Sequence, residues 1–131
     1  MPIAIAESIV VDTSVVVDAL VGADGAVLRA QLLGRQLHAP DLIDYEVMSA
    51  LRGLHLGRQL TEERALDALG DFYDLGIRRH PLRLMASQAW ALRHRVTAYD
   101  AAYAALADVL SIPLWTRDRC LAVAVPEVVV V

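Results

Sequence analysis

The chain contains no lysine, and all twelve of its Lys/Arg cations are arginine. It has one cysteine, Cys120, which excludes an internal disulfide framework and a cysteine-rich zinc site. No apolar run reaches the roughly 18 residues that a membrane-spanning helix needs. The most apolar stretch, 9–20, is cut by Asp12 and Asp18. The N-terminus lacks the basic start and small-residue cleavage site of a secretory signal. Internal repeats, linkers and low-complexity tracts are also missing. Together these absences lead us to expect a soluble cytoplasmic protein.

What is present suits a single domain spanning 1–131 with a sizeable core. The 131 residues are 56% apolar and the mean hydropathy is +0.44, which excludes a disordered chain. The formal net charge is −4, which taken alone argues against a nucleic-acid binder. Placement matters more than the total, because gathering four carboxylates into one site leaves the remainder neutral. Arginine binds phosphate bidentately, so a surface facing RNA or protein stays open.

The order of elements is alternating. Ser8-Ile9-Val10-Val11 is a β-branched run that ends in Asp12-Thr13-Ser14, a strand delivering an acid to its C-terminal end where a helix can start. Helices are expected over 15–21, stopped near Gly22, and over 26–33, ended by Gly34. His38-Ala39-Pro40 closes a short extended segment. A helix from about Asp41 to Gly57 carries Leu42, Tyr45 or Glu46, Met48 or Ser49, and Leu51 at helical spacing, with core expected around Val47, Leu51 and Leu54. Thr61 caps a helix to about Asp74, 76–79 is a small strand, and Pro81 starts a helix to about His94. Thr97 opens an alanine-rich helix to about Leu110. Strands over 112–116 and 128–131 flank a helical turn over 119–124. Strands alternating with helices predict an α/β fold with a central, mainly parallel sheet.

Four acids stand out by their settings. Asp12 ends the first strand, Asp118 follows the strand over 112–116, and Glu46 and Asp100 lie in the first turns of their helices. Strand C-termini and the N-termini of following helices share one edge of a parallel sheet, so all four can converge there. Two like charges ~4 Å apart repel by roughly 4 kcal/mol at an effective dielectric of ~20. Such a cluster needs a cation or raised pKa values. Oxygen ligands with no thiolate or imidazole among them suit Mg²⁺ or Mn²⁺, and a carboxylate-held ion supports phosphodiester hydrolysis. Each acid also has a structural alternative. Asp12 fits a helix cap, Asp100 a capping box with Thr97, Glu46 a solvated helix face, and Asp118 a turn or a pair with Arg117 or Arg119. Rival carboxylate folds fit less well. A receiver domain needs a lysine, a haloacid-dehalogenase-type phosphatase needs an acid where Ser14 stands, and no P-loop is present.

Val-Val-Asp12-Thr-Ser, Leu-Ile-Asp-Tyr-Glu46-Val-Met-Ser-Ala-Leu-Arg, Thr-Ala-Tyr-Asp100-Ala-Ala-Tyr-Ala-Ala-Leu-Ala and Pro-Leu-Trp-Thr-Arg-Asp118 together resemble the PIN-domain family. In particular they resemble the VapC toxins of bacterial toxin–antitoxin pairs. The resemblance covers essentially the whole chain and implies a three-layer α/β/α fold and a Mg²⁺- or Mn²⁺-dependent endoribonuclease. It implies that Asp12, Glu46, Asp100 and Asp118 surround the metal, Asp12 and Asp100 as principal ligands, with Thr13 and Thr116 as supporting hydroxyls. It further implies an RNA substrate, a homodimer and a cognate VapB-type antitoxin lying near each site. A catalytically silent fold acting as a binding module is the competing reading. Arg52 is a candidate phosphate contact or a solvated surface residue. The aromatics Tyr45, Tyr99, Tyr103, Trp90 and Trp115 are candidates for base stacking or for packing. His38, His55, His80 and His94 show no metal-ligand spacing.

Overall fold

Strand β1 (Ser8–Val11) is apolar at consecutive positions, as a strand covered on both faces must be, and Ile9, Val10 and Val11 are completely buried. The computed structural model describes residues 6–125 and 127–131. After β1 come α1 (Thr13–Val21), α2 (Gly25–Leu32), β2 (Gln36–Pro40), α3 (Ile43–Leu56), α4 (Glu62–Asp74) and β3 (Arg78–His80). A 3-10 turn (Leu82–Leu84), α5 (Ala86–Ala91), α6 (Ala98–Leu110), β4 (Leu114–Thr116), α7 (Arg119–Ala124) and β5 (Val128–Val130) complete the chain.

The strands pair in the order β3-β2-β1-β4-β5 and every pairing is parallel. The chain therefore builds outward from β1 through β2 to β3, then returns to the other side of β1. That reversal falls between β1 and β4. Ligands of open α/β sheets bind in the crevice beyond the strand C-termini at such a point. The register sets Val11 opposite Trp115, and the Asp12 N–H donates to the Trp115 carbonyl at 3.0 Å. The residues following both strands are thus held side by side.

One group of helices is α1 with α2, α3 and α4; the other is α5 with α6, and the two groups and the sheet make three layers. Helix α6 packs on β1, β2 and β4. Every position from Ala101 to Leu106 is buried, and the alanines let its backbone lie close to the sheet. Thr61 and Thr97 cap as expected, each hydroxyl accepting a backbone N–H three residues on, at 3.1 and 3.2 Å. Gly34, at φ +80°, supplies the left-handed residue that turns the chain out of α2.

The structure departs from the expected elements in two places. The helix anticipated from Pro81 to about His94 is instead the 3-10 turn and the short α5. Met85 between them (φ −136°, ψ 21°) leaves helical geometry while its side chain is fully buried, so core packing overrides local helix continuity. On α3 the buried stripe is Ile43, Val47 and Leu51, whereas Tyr45 and Met48 face outward. The valine run at the end of the chain is the edge strand β5.

At the other side of the sheet, His38 on β2 and His80 on β3 share a hydrogen bond between Nδ1 and Nε2 at 2.9 Å. One ring must donate and the other accept, which requires a neutral acceptor. Burial, first, and the positive charge of Arg78 lower both pKa values; the partner ring lowers that of His38 further, and Asp41 partly offsets the effect on His80. Below about pH 6.5, the ordinary histidine value, the unfolded chain binds more protons than the folded one. The pair's contribution is therefore complete above that pH and is lost as pH falls. Urea unfolding between pH 7.5 and 5 is expected to show a steeper loss of stability for the native chain than for His80→Gln.

Candidate active site

Asp12 occupies the N-cap position of α1, yet its carboxylate makes no capping bond. Instead Oδ2 accepts from Thr116 Oγ1 at 2.7 Å and from Ser14 Oγ at 2.8 Å. The side chain is drawn away from its own helix toward β4. With Asp12 only 9% exposed, these two hydroxyls satisfy an otherwise costly buried charge. Oδ1 takes no hydrogen bond from the described residues.

The corner after β4 is braced by the same hydroxyls. Thr116 Oγ1 accepts the Asp118 N–H at 3.0 Å, and Ser14 Oγ accepts the Arg117 N–H at 3.1 Å. The Arg117 guanidinium reaches back to Asp18 on α1 at 3.0 Å and to Asp24 at 2.9 Å. Asp118 caps α7 through Oδ1, which accepts from the N–H groups of Cys120 at 2.9 Å and Leu121 at 3.3 Å. Its alternatives are thereby resolved: it begins the turn of α7 as a cap, and among the described residues it forms no ion pair with Arg117, which pairs elsewhere, or with Arg119. One oxygen does the capping, and no hydrogen bond from the described residues engages the other.

Glu46, in the first turn of α3, is not a solvated helix acid. Its Oε1 accepts from the Tyr103 hydroxyl at 2.7 Å and from Thr13 Oγ1 at 3.0 Å. Tyr103 Oη and Thr13 Oγ1 also lie 2.8 Å apart. Burial, above all, raises the Tyr103 pKa far beyond the ordinary phenol range, so the hydroxyl stays protonated and available to donate. This cluster ties α3 and α6 to the residue beside Asp12.

Asp100 lies half-buried in the first turn of α6, one turn before Tyr103. Burial, most of all, raises its carboxyl above the ordinary range; the charges of Asp12 and then Asp118 raise it further, and the Thr97 hydroxyl offsets part of this. Three acids from three separate chain segments therefore share one electrostatic field. Asp100 and Asp118 also wall the same cavity.

This donor set fits a hydrated divalent cation. Among the described residues no three His, Cys, Asp or Glu side chains stand close enough to cage an ion by themselves. Mg²⁺ keeps several waters and takes only one or two carboxylates, so it does not require such a cage. Asp12, Glu46 and Asp118 each have one oxygen fixed by chain donors and another left open, an arrangement that orients ligands. The upward shift at Asp100 is of the kind a bound cation relieves.

Of the four acids singled out in the sequence, Asp12, Asp100 and Asp118 share the field of this crevice, and Glu46 is tied to it through Thr13, the residue after Asp12. Two contributors were missed. Ser14 reads in the sequence as a helix-starting hydroxyl, and in the structure it orients Asp12. Tyr103 reads in the sequence as a stacking or packing aromatic, and in the structure its hydroxyl holds Glu46. Its place three residues after Asp100, on one helical face, was the available signal. Arg52 is exposed on α3 and is absent from the cavity that Asp100 and Asp118 share.

The PIN domain family model matches residues 9–124. Ribonuclease VapC1 of Mycobacterium tuberculosis is 45% identical over 118 residues, covering 88% of this chain and 89% of the relative. A crystal structure of PAE2754 from Pyrobaculum aerophilum superposes with a TM-score of 0.70 at 25% identity, covering 96% of this chain and 92% of that one. A toxin–antitoxin complex from Klebsiella pneumoniae contains a chain of the same fold, with a TM-score of 0.63 at 22% identity over 92% of this chain and 94% of that one. With the switch-point crevice, its acids and these matches together, the chain belongs to the PIN-domain family, alongside the VapC ribonucleases.

Proposed function

We propose that the protein is the ribonuclease toxin of a VapBC-type toxin–antitoxin pair, hydrolysing RNA phosphodiester bonds with Mg²⁺ or Mn²⁺ at Asp12, Glu46, Asp100 and Asp118. The observation that carries the proposal is geometric: beyond β1 and β4, Asp12, Glu46 and Asp118 each have one carboxylate oxygen held by chain donors and the other left open. Similarity to Ribonuclease VapC1 supports the choice of RNA.

Asp12 and Asp100 are the principal metal-holding residues in this proposal, with Glu46 and Asp118 ordering its waters. The cation, when bound, supplies an activated water nucleophile and neutralises charge on the phosphodiester. The chain's own part is positioning. Ser14 and Thr116 fix one oxygen of Asp12 so that the other faces outward, Tyr103 and Thr13 do the same for Glu46, and the α7 N-terminus does so for Asp118. The partners in this proposal are a second copy of the chain and a cognate VapB-type antitoxin. The Klebsiella complex of the same fold gives the antitoxin a structural precedent.

Incubation of total bacterial RNA with the antitoxin-free protein is expected to yield discrete fragments with Mg²⁺ and none with EDTA. Asp12→Asn and Asp100→Asn are each expected to abolish the fragments while the protein stays folded, and Asp100→Asn to melt at or above the native temperature in EDTA, since one repelling charge is gone. Cleavage by a well-folded Asp100→Asn protein would overturn the assignment.

Metal binding has its own readout. Mg²⁺ at 100-fold excess over its Kd is expected to raise stability against urea by about 2.7 kcal/mol, and the rise is expected to vanish in Asp12→Asn. A urea midpoint indifferent to Mg²⁺ would favour the catalytically silent binding module.

A further inference from the structure

A polyanion approaching the crevice meets three carboxylates on a chain whose net charge is −4. Cations close to the acids must offset that repulsion, and five of the twelve arginines hold contacts elsewhere. Arg29 and Arg64 donate to the carbonyls of Ala19 and Leu20. Arg35 pairs with Glu7, Arg79 with Asp44, and Arg117 with Asp18 and Asp24.

Arg93 and Arg95 differ in where they lie. They lie in the segment between α5 and α6, and together with His94 and Thr97 they wall a cavity of about 460 Å³ that Asp100 and Asp118 also wall. Both arginines are exposed. Neither forms an ion pair among the described residues, although two acids line the same space. Arg93 is steadied by its Nη1 bond to the Trp90 carbonyl at 3.1 Å and by the Trp90 ring, 5.0 Å from its guanidinium. Arg95 makes no side-chain hydrogen bond within the described residues. Two arginines thus line the same open cavity as two of the acids, and neither forms an ion pair with them.

We propose that Arg93 and Arg95 form the rim that binds the RNA backbone, holding phosphates adjacent to the bond cleaved at the acids. A guanidinium matches a phosphate's paired oxygens with a fork of donors, which a solvating arginine on an open helix face has no partner to use. The rim also reconciles a negatively charged chain with a polyanionic substrate, because attraction is local to the cavity. The assignment depends on the nuclease function proposed above.

The test uses a labelled single-stranded RNA oligonucleotide and the full chain carrying Asp100→Asn, so that binding is read without cleavage. Arg95→Gln in that background is expected to weaken binding about tenfold, the size of one lost charge-assisted hydrogen bond. It is also expected to lower the slope of log affinity against log salt by about 0.7, the single-strand value for one phosphate. Arg95→Lys is expected to recover much of the affinity. Arg83→Gln, the same charge change on the 3-10 turn, is expected to leave affinity and slope unaltered. In the cleaving protein, Arg93→Gln/Arg95→Gln is expected to raise KM with kcat within about twofold and an unchanged Tm. If the cleaving protein cuts RNA while the double variant binds with native affinity and native salt slope, the rim is overturned and the nuclease stands. If the protein with all its arginines neither binds nor cuts RNA in Mg²⁺, the nuclease assignment falls and the rim with it.

Discussion

Pairing β4 directly against β1 brings two acidic corners of the chain together, and the rest of the crevice depends on that junction. Asp12 and Asp118 are more than a hundred residues apart in sequence, and the shared Thr116 hydroxyl contacts the carboxylate of one and the main-chain N–H of the other. Like charges at this spacing repel, and burial increases the penalty. The surroundings answer with hydroxyl donors rather than with basic side chains. Ser14, Thr116, Thr13 and Tyr103 all donate to carboxylate oxygens, whereas Arg117, the nearest guanidinium on the β4 corner, is turned away to Asp18 and Asp24. A neutral hydroxyl satisfies one lone pair without cancelling the charge. An arginine in the same place would satisfy and neutralise the acid together, leaving less negative charge for a cation.

This choice of donors couples the residues near the crevice to one another. Thr13 bridges Asp12 in sequence to Glu46 in space, Tyr103 bridges α6 to α3, and Ser14 bridges α1 to the β4 corner. Each contact crosses between elements that also share the core, so orientation of the acids and packing of α6 on the sheet are one problem. The alanines of α6 allow the helix to lie close enough for Tyr103 to reach Glu46, and the buried apolar run of β1 provides the surface on which it lies. A functional cluster that costs stability is tolerable where the surrounding core is well packed and polar groups are satisfied.

Much was legible before any coordinates. The β-branched run ending at Asp12, the caps at Thr61 and Thr97, and the alanine-rich helix between two polar ends are local signals, and they appear where expected because short-range chemistry governs them. The four acids were legible as a set because all lie just beyond strand ends or at helix starts, and parallel topology sends both to one edge. The helix anticipated from Pro81 to His94 fails because nothing local announces that Met85 will be buried between two short turns. Val47 and Leu51 are core as expected, and Tyr45 and Met48 face outward because helical spacing alone does not reveal which face of α3 packs on α1 and α4.

Sequence alone determined which residues carry charge, where strands hand over to helices, and that the acids belong to one edge of a parallel sheet, since these follow from side-chain chemistry and periodicity over a few residues. Tertiary structure decided the rest. It determined that Asp12 would decline its own helix cap in favour of Thr116, that Ser14 and Tyr103 would orient the acids, and that Arg93 and Arg95 would line the cavity of Asp100 and Asp118 without an ion pair among the described residues while Arg117 pairs with Asp18 and Asp24. Those outcomes depend on distances between segments far apart in the chain, and strand order and register set such distances; no local pattern encodes them.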